Sequence, residues 1–161
     1  MNLLKKLRSV GVLRNRIRIK AITTLRLWDG ATGRTLVYDV LDPGNLVVTA
    51  GLALVADQML DTPALAKPTY MAVGSGAVAP ALADTALGTE IYRAALGSKT
   101  RSGAAVTYFR SFTAGQGTGS LTEMGIFNMV SAGTMLCRQT FGTKTKGAND
   151  VLDITLQHTF A

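Results

Sequence analysis

The chain contains one cysteine, one histidine, four prolines and two glutamates among 161 residues. Cys137 alone can form neither an internal disulfide nor a multi-thiolate metal site. His158 alone excludes a two-histidine metal site and leaves little acid–base capacity near neutral pH. Catalytic, cofactor-binding and metal-binding residues are therefore expected to be none. Charged residues make up 17%, below the roughly 25% of an average soluble chain, and aromatics only 6%. No apolar run reaches the roughly 18 residues that would suggest a membrane-spanning helix, and no repeat of roughly 20–50 residues suggests a solenoid or propeller. What is abundant is apolar residues, at 47%, and glycine, at 17 residues. That composition supports one packed domain with many tight turns.

The charge is uneven. Of a net +7, residues 1–28 carry eight basic side chains and no acid, which leaves residues 29–161 at −1. A basic N-terminal arm (1–28) on a near-neutral body (29–161) is the expected division. A secretory leader is excluded because its apolar run, Val10-Gly11-Val12-Leu13, is cut off by Arg14. From Leu13 to Ala21, basic Arg14, Arg16, Arg18 and Lys20 alternate with apolar Ile17 and Ile19. Period two makes a strand with one basic and one apolar face. A membrane-surface helix needs a period of 3.6, so a membrane partner is excluded. The lack of any aromatic before Trp28 argues against nucleic acid, because bases would have nothing to stack on. The pattern instead suits a strand that docks on protein, with Arg14, Arg16, Arg18, Lys20, Ile17 and Ile19 as the partner-docking residues.

Further along, Asp29-Gly30 marks a hairpin turn and Arg34–Leu41 a returning strand. Asp42-Pro43-Gly44-Asn45 marks another turn. Residues 50–60 form the one helix, with Thr49 as cap. Its apolar stripe is Leu52, Val55, Ala56, Met59 and Leu60, expected to lie on a sheet. Short strands follow at Thr69–Gly74, Ile91–Ser98, Ala104–Thr113, Leu121–Met129 and Thr134–Phe141, with a loop at 143–149. The last strand alternates most cleanly: Leu152, Ile154, Leu156, His158 and Phe160 share one face. The expected fold class is all-β, a β-sandwich or jelly-roll-like domain with one short helix and an extended N-terminal arm.

Each candidate chemical site has a plainer structural account. Gly74-Ser75-Gly76 lacks the Lys-Ser/Thr of a phosphate loop and reads as a strand-ending turn. Asp57 and Asp61 read as a solvated helix face. Glu90 and Glu123 are the only possible glycosidase pair, and nothing in the sequence brings them together. His158 and Cys137 read as packed residues. Glu123 fits a structural ion pair with Arg93 or Arg138.

Some of these segments also resemble a family of small virion structural modules from tailed bacteriophages, found in tail fibres, collars and other minor structural proteins. The residues that carry the likeness are Thr49-Ala50-Gly51-Leu52, Tyr70–Gly76, Ala79–Glu90 with Arg93, Leu121–Asn128 and Gly133–Arg138. They fall in the family's order within residues 45–160. The resemblance implies a non-enzymatic virion subunit, assembled in the bacterial cytoplasm, that needs no cofactor. It would contact copies of itself, as in a trimer, and other virion proteins such as the major capsid protein. A capsid decoration (cement) protein is the first expectation. A tail, collar or baseplate component is the second, and a host-glycan binding module using Trp28, Tyr38 and Tyr108 is the third. Arg93 and Glu123 are expected to form the structural pair.

Overall fold

A computed structural model describes residues 17–41 and 45–161. It is an all-β sandwich of two five-stranded antiparallel sheets with one short helix. In chain order the elements are β1 (Ile19–Asp29), β2 (Thr35–Leu41), β3 (Asn45–Val47), α1 (Thr49–Asp57), β4 (Tyr70–Gly74) and β5 (Glu90–Ala95). They continue as β6 (Ser98–Ser102), β7 (Ala105–Phe112), β8 (Gly119–Phe127), β9 (Met135–Lys146) and β10 (Asp150–Phe160). Sheet A runs β2-β1-β10-β7-β6 and sheet B runs β3-β9-β8-β4-β5.

The alternation of β1 and β10 builds the centre of sheet A. The two strands pair along their full lengths, from Ile19 opposite Phe160 to Asp29 opposite Asp150. Leu25 and Leu27 on β1, with Leu152, Ile154 and Leu156 on β10, drop into the core. There they meet Met71, Leu121, Met124 and Ile126 of sheet B. Burial of such side chains is worth about 1.5–3 kcal/mol each, which dwarfs the intrinsic strand preference of any one of them. The boundary expected after residue 28 is therefore misplaced: Ile19–Trp28 is an inner strand of the body, not part of an arm.

Several other expectations shift. Ile91–Ser98 is not one strand, because the chain turns at Leu96-Gly97 and passes from β5 in sheet B to β6 in sheet A. The segment expected to be a loop from 143 extends β9 to Lys146, whose ammonium donates to the Thr113 carbonyl at 3.1 Å. Of the turn expected at 42–45, residues 42–44 lie outside the described residues, and Asn45 opens β3.

The helix departs most from expectation. Its N-cap is Val48, which makes no side-chain capping bond. The backbone replaces that bond: Val48 N–H donates to the Leu136 carbonyl at 3.2 Å and Thr49 N–H to the Leu82 carbonyl at 2.9 Å. The face turned to the protein is Gly51 and Leu54, while Leu52, Met59 and Leu60 point to solvent. Gly51 decides this. A Cβ there would collide with the backbone carbonyl of Leu136 on β9, so only glycine permits so close an approach. Gly51→Ala is expected to lower stability by on the order of 1–3 kcal/mol, although alanine is the better helix former by about 1 kcal/mol. Denaturant midpoints of the two proteins measure the difference, and a more stable alanine variant would refute the close approach.

Candidate docking surface

The ionisable residues singled out in the sequence serve the fold. Glu123 is fully buried on β8, and four donors bond its carboxylate. Oε1 accepts from the Gly76 N–H at 2.7 Å and the Thr89 N–H at 2.8 Å. Oε2 accepts from the Gly88 N–H and from Arg138 Nε, each at 2.9 Å, while Arg138 Nη2 stands at ion-pair distance, 2.8 Å, without a hydrogen bond. Burial works to raise the Glu123 pKa, but the amides and the guanidinium outweigh it and hold the carboxyl below its ordinary range. Of the Gly74-Ser75-Gly76 turn, only the Gly76 amide bonds an anion, and that anion is the chain's own glutamate. A Cβ at Gly76 would overlap the carboxylate.

The pair expected between Arg93 and Glu123 does not form. Arg93 bonds Glu90 at 2.5 Å, lies over the Phe127 ring at 3.5 Å and donates to the Met129 and Ala132 carbonyls at 3.1 and 2.8 Å. Register explains the exchange. Gly125 stands between Ala72 on one side and Arg138 on the other, and Ala72 in turn faces Arg93. Arg138 is therefore one strand from β8 and Arg93 is two. Arg138 also bonds Asp84 at 2.8 Å, whose Oδ2 accepts the Ala81 N–H at 2.9 Å. These contacts tie the 75–89 loop to sheet B.

His158 and Cys137 are interior residues. His158 Nε2 lies 3.2 Å from Asn45 Oδ1, and its ring meets Tyr108 edge-on at 5.7 Å. Burial pushes its pKa down to about 4 and pushes the Cys137 thiol up to about 12. Tyr108 faces the core and shares no exposed surface with Trp28 and Tyr38, and Trp28 Nε1 donates to Asp153 at 3.0 Å. Asp57 binds the exit loop through the Ala64 and Leu65 amides at 3.1 and 2.9 Å. Among the described residues, no group of three or more His, Cys, Asp or Glu is placed to hold a metal ion, and no helix is long and apolar enough to cross a membrane.

Among the described residues, one stretch of exposed apolar surface lies where the ends of β1 and β10 meet the helix. Beyond the last core pair, the backbones of Arg18 and Ala161 exchange two hydrogen bonds of 2.6 and 2.8 Å. This carries Ile17 and Ile19 past the end of the sandwich, on the same phase as the core residues. They face the outward stripe of α1 across an apolar groove of about 570 Å³, lined by Ile17, Ile19, Leu52, Val55, Ala56, Met59, Phe160 and Ala161. Ile17 is 83% exposed and Met59 84%. Arg18 and Lys20 are exposed on the opposite strand face. Four of the expected docking residues are thus placed around this one corner, with the alternation read from sequence. Arg14 and Arg16 lie outside the described residues. The helix residues of the groove were visible in the sequence as a stripe, but as a core-facing one.

No protein-family model, no characterised protein and no solved structure matches this chain.

His158 gives a pH signature. In the native state it stays neutral down to about pH 4, whereas the unfolded chain takes up the proton below about pH 6.5. The stabilisation is full above pH 6.5 and is lost as pH falls toward 4. Between pH 7.5 and 5 the loss should be about 2 kcal/mol, above the range where the lowered carboxyls of Glu123 and Asp84 titrate. Urea unfolding across that range should show the drop in the native protein and a flat profile in His158→Gln. A native profile that is flat would place a protonated or exposed histidine at this position.

Proposed function

We propose that this chain is a non-enzymatic structural subunit that joins an assembly by seating apolar side chains of a partner protein in the groove between the β1/β10 ends and α1. The observation that carries this reading is the exposed stripe of Leu52 and Met59 set against Ile17 and Ile19. Transfer of each such side chain out of water contributes up to about 1.5–3 kcal/mol. A surface ion pair made by Arg18 or Lys20 contributes about 0–1 kcal/mol. The groove would therefore supply affinity, and the basic strand face would orient and steer the encounter. The reactive groups are already committed inside the fold, with Glu123 to Arg138 and three amides and His158 to Asn45 and Tyr108.

The setting follows from the resemblance of residues 45–160 to virion modules. The partner is a virion protein of a tailed bacteriophage, first of all the major capsid protein, with the chain as a capsid decoration protein. A place in the tail, collar or baseplate fits the same resemblance. Copies distributed over the shell mark the first and a single ring of copies the second, and electron microscopy of labelled particles separates them.

Replacing both Leu52 and Met59 by lysine should leave the fold intact, because both side chains are already in water. It should reduce incorporation into particles at least about tenfold, the equivalent of 1.4 kcal/mol. Quantifying the subunit in purified particles tests this. A variant incorporated at the native level contradicts the proposal.

A further inference from the structure

We propose that the outer edge of β2, which no other described strand pairs with, pairs antiparallel with β2 of a second copy of this chain, joining two A sheets about a two-fold axis at Tyr38. The four sheet edges differ in a way that points to this one. β3 is only three residues long. β6 reads Ser-Lys-Thr-Arg-Ser, is exposed throughout and carries two like charges. β5 carries the Glu90–Arg93 ion pair. Short length and charge are the usual means of blocking edge-to-edge pairing. β2 has neither: it is seven residues of Thr-Leu-Val-Tyr-Asp-Val-Leu. Its one charge, Asp39, is bound to Lys144 at 2.5 Å. Three consecutive outward positions are apolar or aromatic and in water, with Tyr38 62% exposed, Val40 55% and Leu36 41%.

The strand is self-complementary. In an antiparallel pair centred on Tyr38, Tyr38 faces the partner's Tyr38 and Leu36 faces the partner's Val40. Asp39 faces the partner's Val37. Aromatic and branched cross-strand pairs of this kind each add about 0.2–1 kcal/mol, and no like charges are brought opposite one another. A two-fold axis gives each copy the same interface and closes the assembly at two. The same operation on β6 centred on Thr100 sets Lys99 against Arg101 of the other copy, which repels. One seven-residue strand falls below the roughly 1,200 Å² of a standard stable interface, so the dimer is a weak one that depends on concentration. β2 runs beside Thr23–Trp28 of β1, away from the Ile17–Ile19 groove. The two surfaces therefore succeed or fail separately.

Two measurements on the full chain test the pairing. Sedimentation equilibrium should show reversible dimer formation, with monomer prevailing near about 1 µM and dimer at some hundreds of µM. Leu36→Lys with Val40→Lys should abolish it without shifting the thermal midpoint, since both positions are solvent-facing. Leu52→Lys with Met59→Lys should leave it unchanged. Tyr38→Cys under mild oxidation should give a disulfide-linked dimer, and Thr100→Cys on β6 should not. Native Cys137 is buried and does not compete. A chain that remains monomeric at all concentrations overturns the inference. So does a dimer that survives the β2 lysines, or a Tyr38→Cys variant that cross-links no faster than Thr100→Cys.

Discussion

The arrangement of this molecule depends on a steric constraint at one residue. Gly51 sits against the Leu136 carbonyl so closely that no side chain fits between them. That contact fixes how α1 is rotated about its own axis. Leu54 goes inward, Val55 is half-buried against the core while also lining the groove, and Leu52, Ala56 and Met59 are turned toward the ends of β1 and β10. A helix rotated to bury the stripe would gain apolar contacts, but at the cost of moving the backbone away from β9 and losing the Val48 and Thr49 amide bonds that begin the helix. The exposed groove is the direct result of that choice.

A second constraint holds the neighbourhood of the helix in place. Glu123 gathers the Gly76, Gly88 and Thr89 amides and the Arg138 guanidinium, and Arg138 reaches on to Asp84. The loop so anchored presents the Leu82 carbonyl to the Thr49 amide. A buried carboxylate thus reaches α1 through a chain of hydrogen bonds. Truncating one partner of such a buried pair typically costs about 3–5 kcal/mol, so the network is a costly part of the fold to disturb.

Much of the sandwich can be read directly from the sequence. The alternation in Leu152, Ile154, Leu156 and His158, and in Leu25 and Leu27, needs no partner to be recognised, since period two alone says which side chains share a face. The same rule set Ile17 and Ile19 apart from Arg18 and Lys20. Periodicity does not say which way a face points. The α1 stripe has the right spacing for a core helix, and only the approach of Gly51 to another strand's backbone turns it outward. Pairing of charges is equally hidden: the sequence favours Arg93 as the partner of Glu123, whereas strand order places β4 between Arg93 and β8 and gives Arg138 that role. The β5-to-β6 passage between sheets at Leu96-Gly97 is hidden for a similar reason. Tertiary geometry interrupts an apparently continuous strand there, and no local signal strong enough to mark it precedes the glycine.

The outward orientation of the α1 stripe is tested most directly by hydroxyl-radical footprinting of the methionines in the isolated protein. Met71, Met124 and Met135 are fully buried, whereas Met59 is open to water at the groove. Met59 should be oxidised rapidly while those three are protected. Protection of Met59 in the isolated chain to the level of Met71 would mean that the stripe packs inward, and the docking surface described here would not exist.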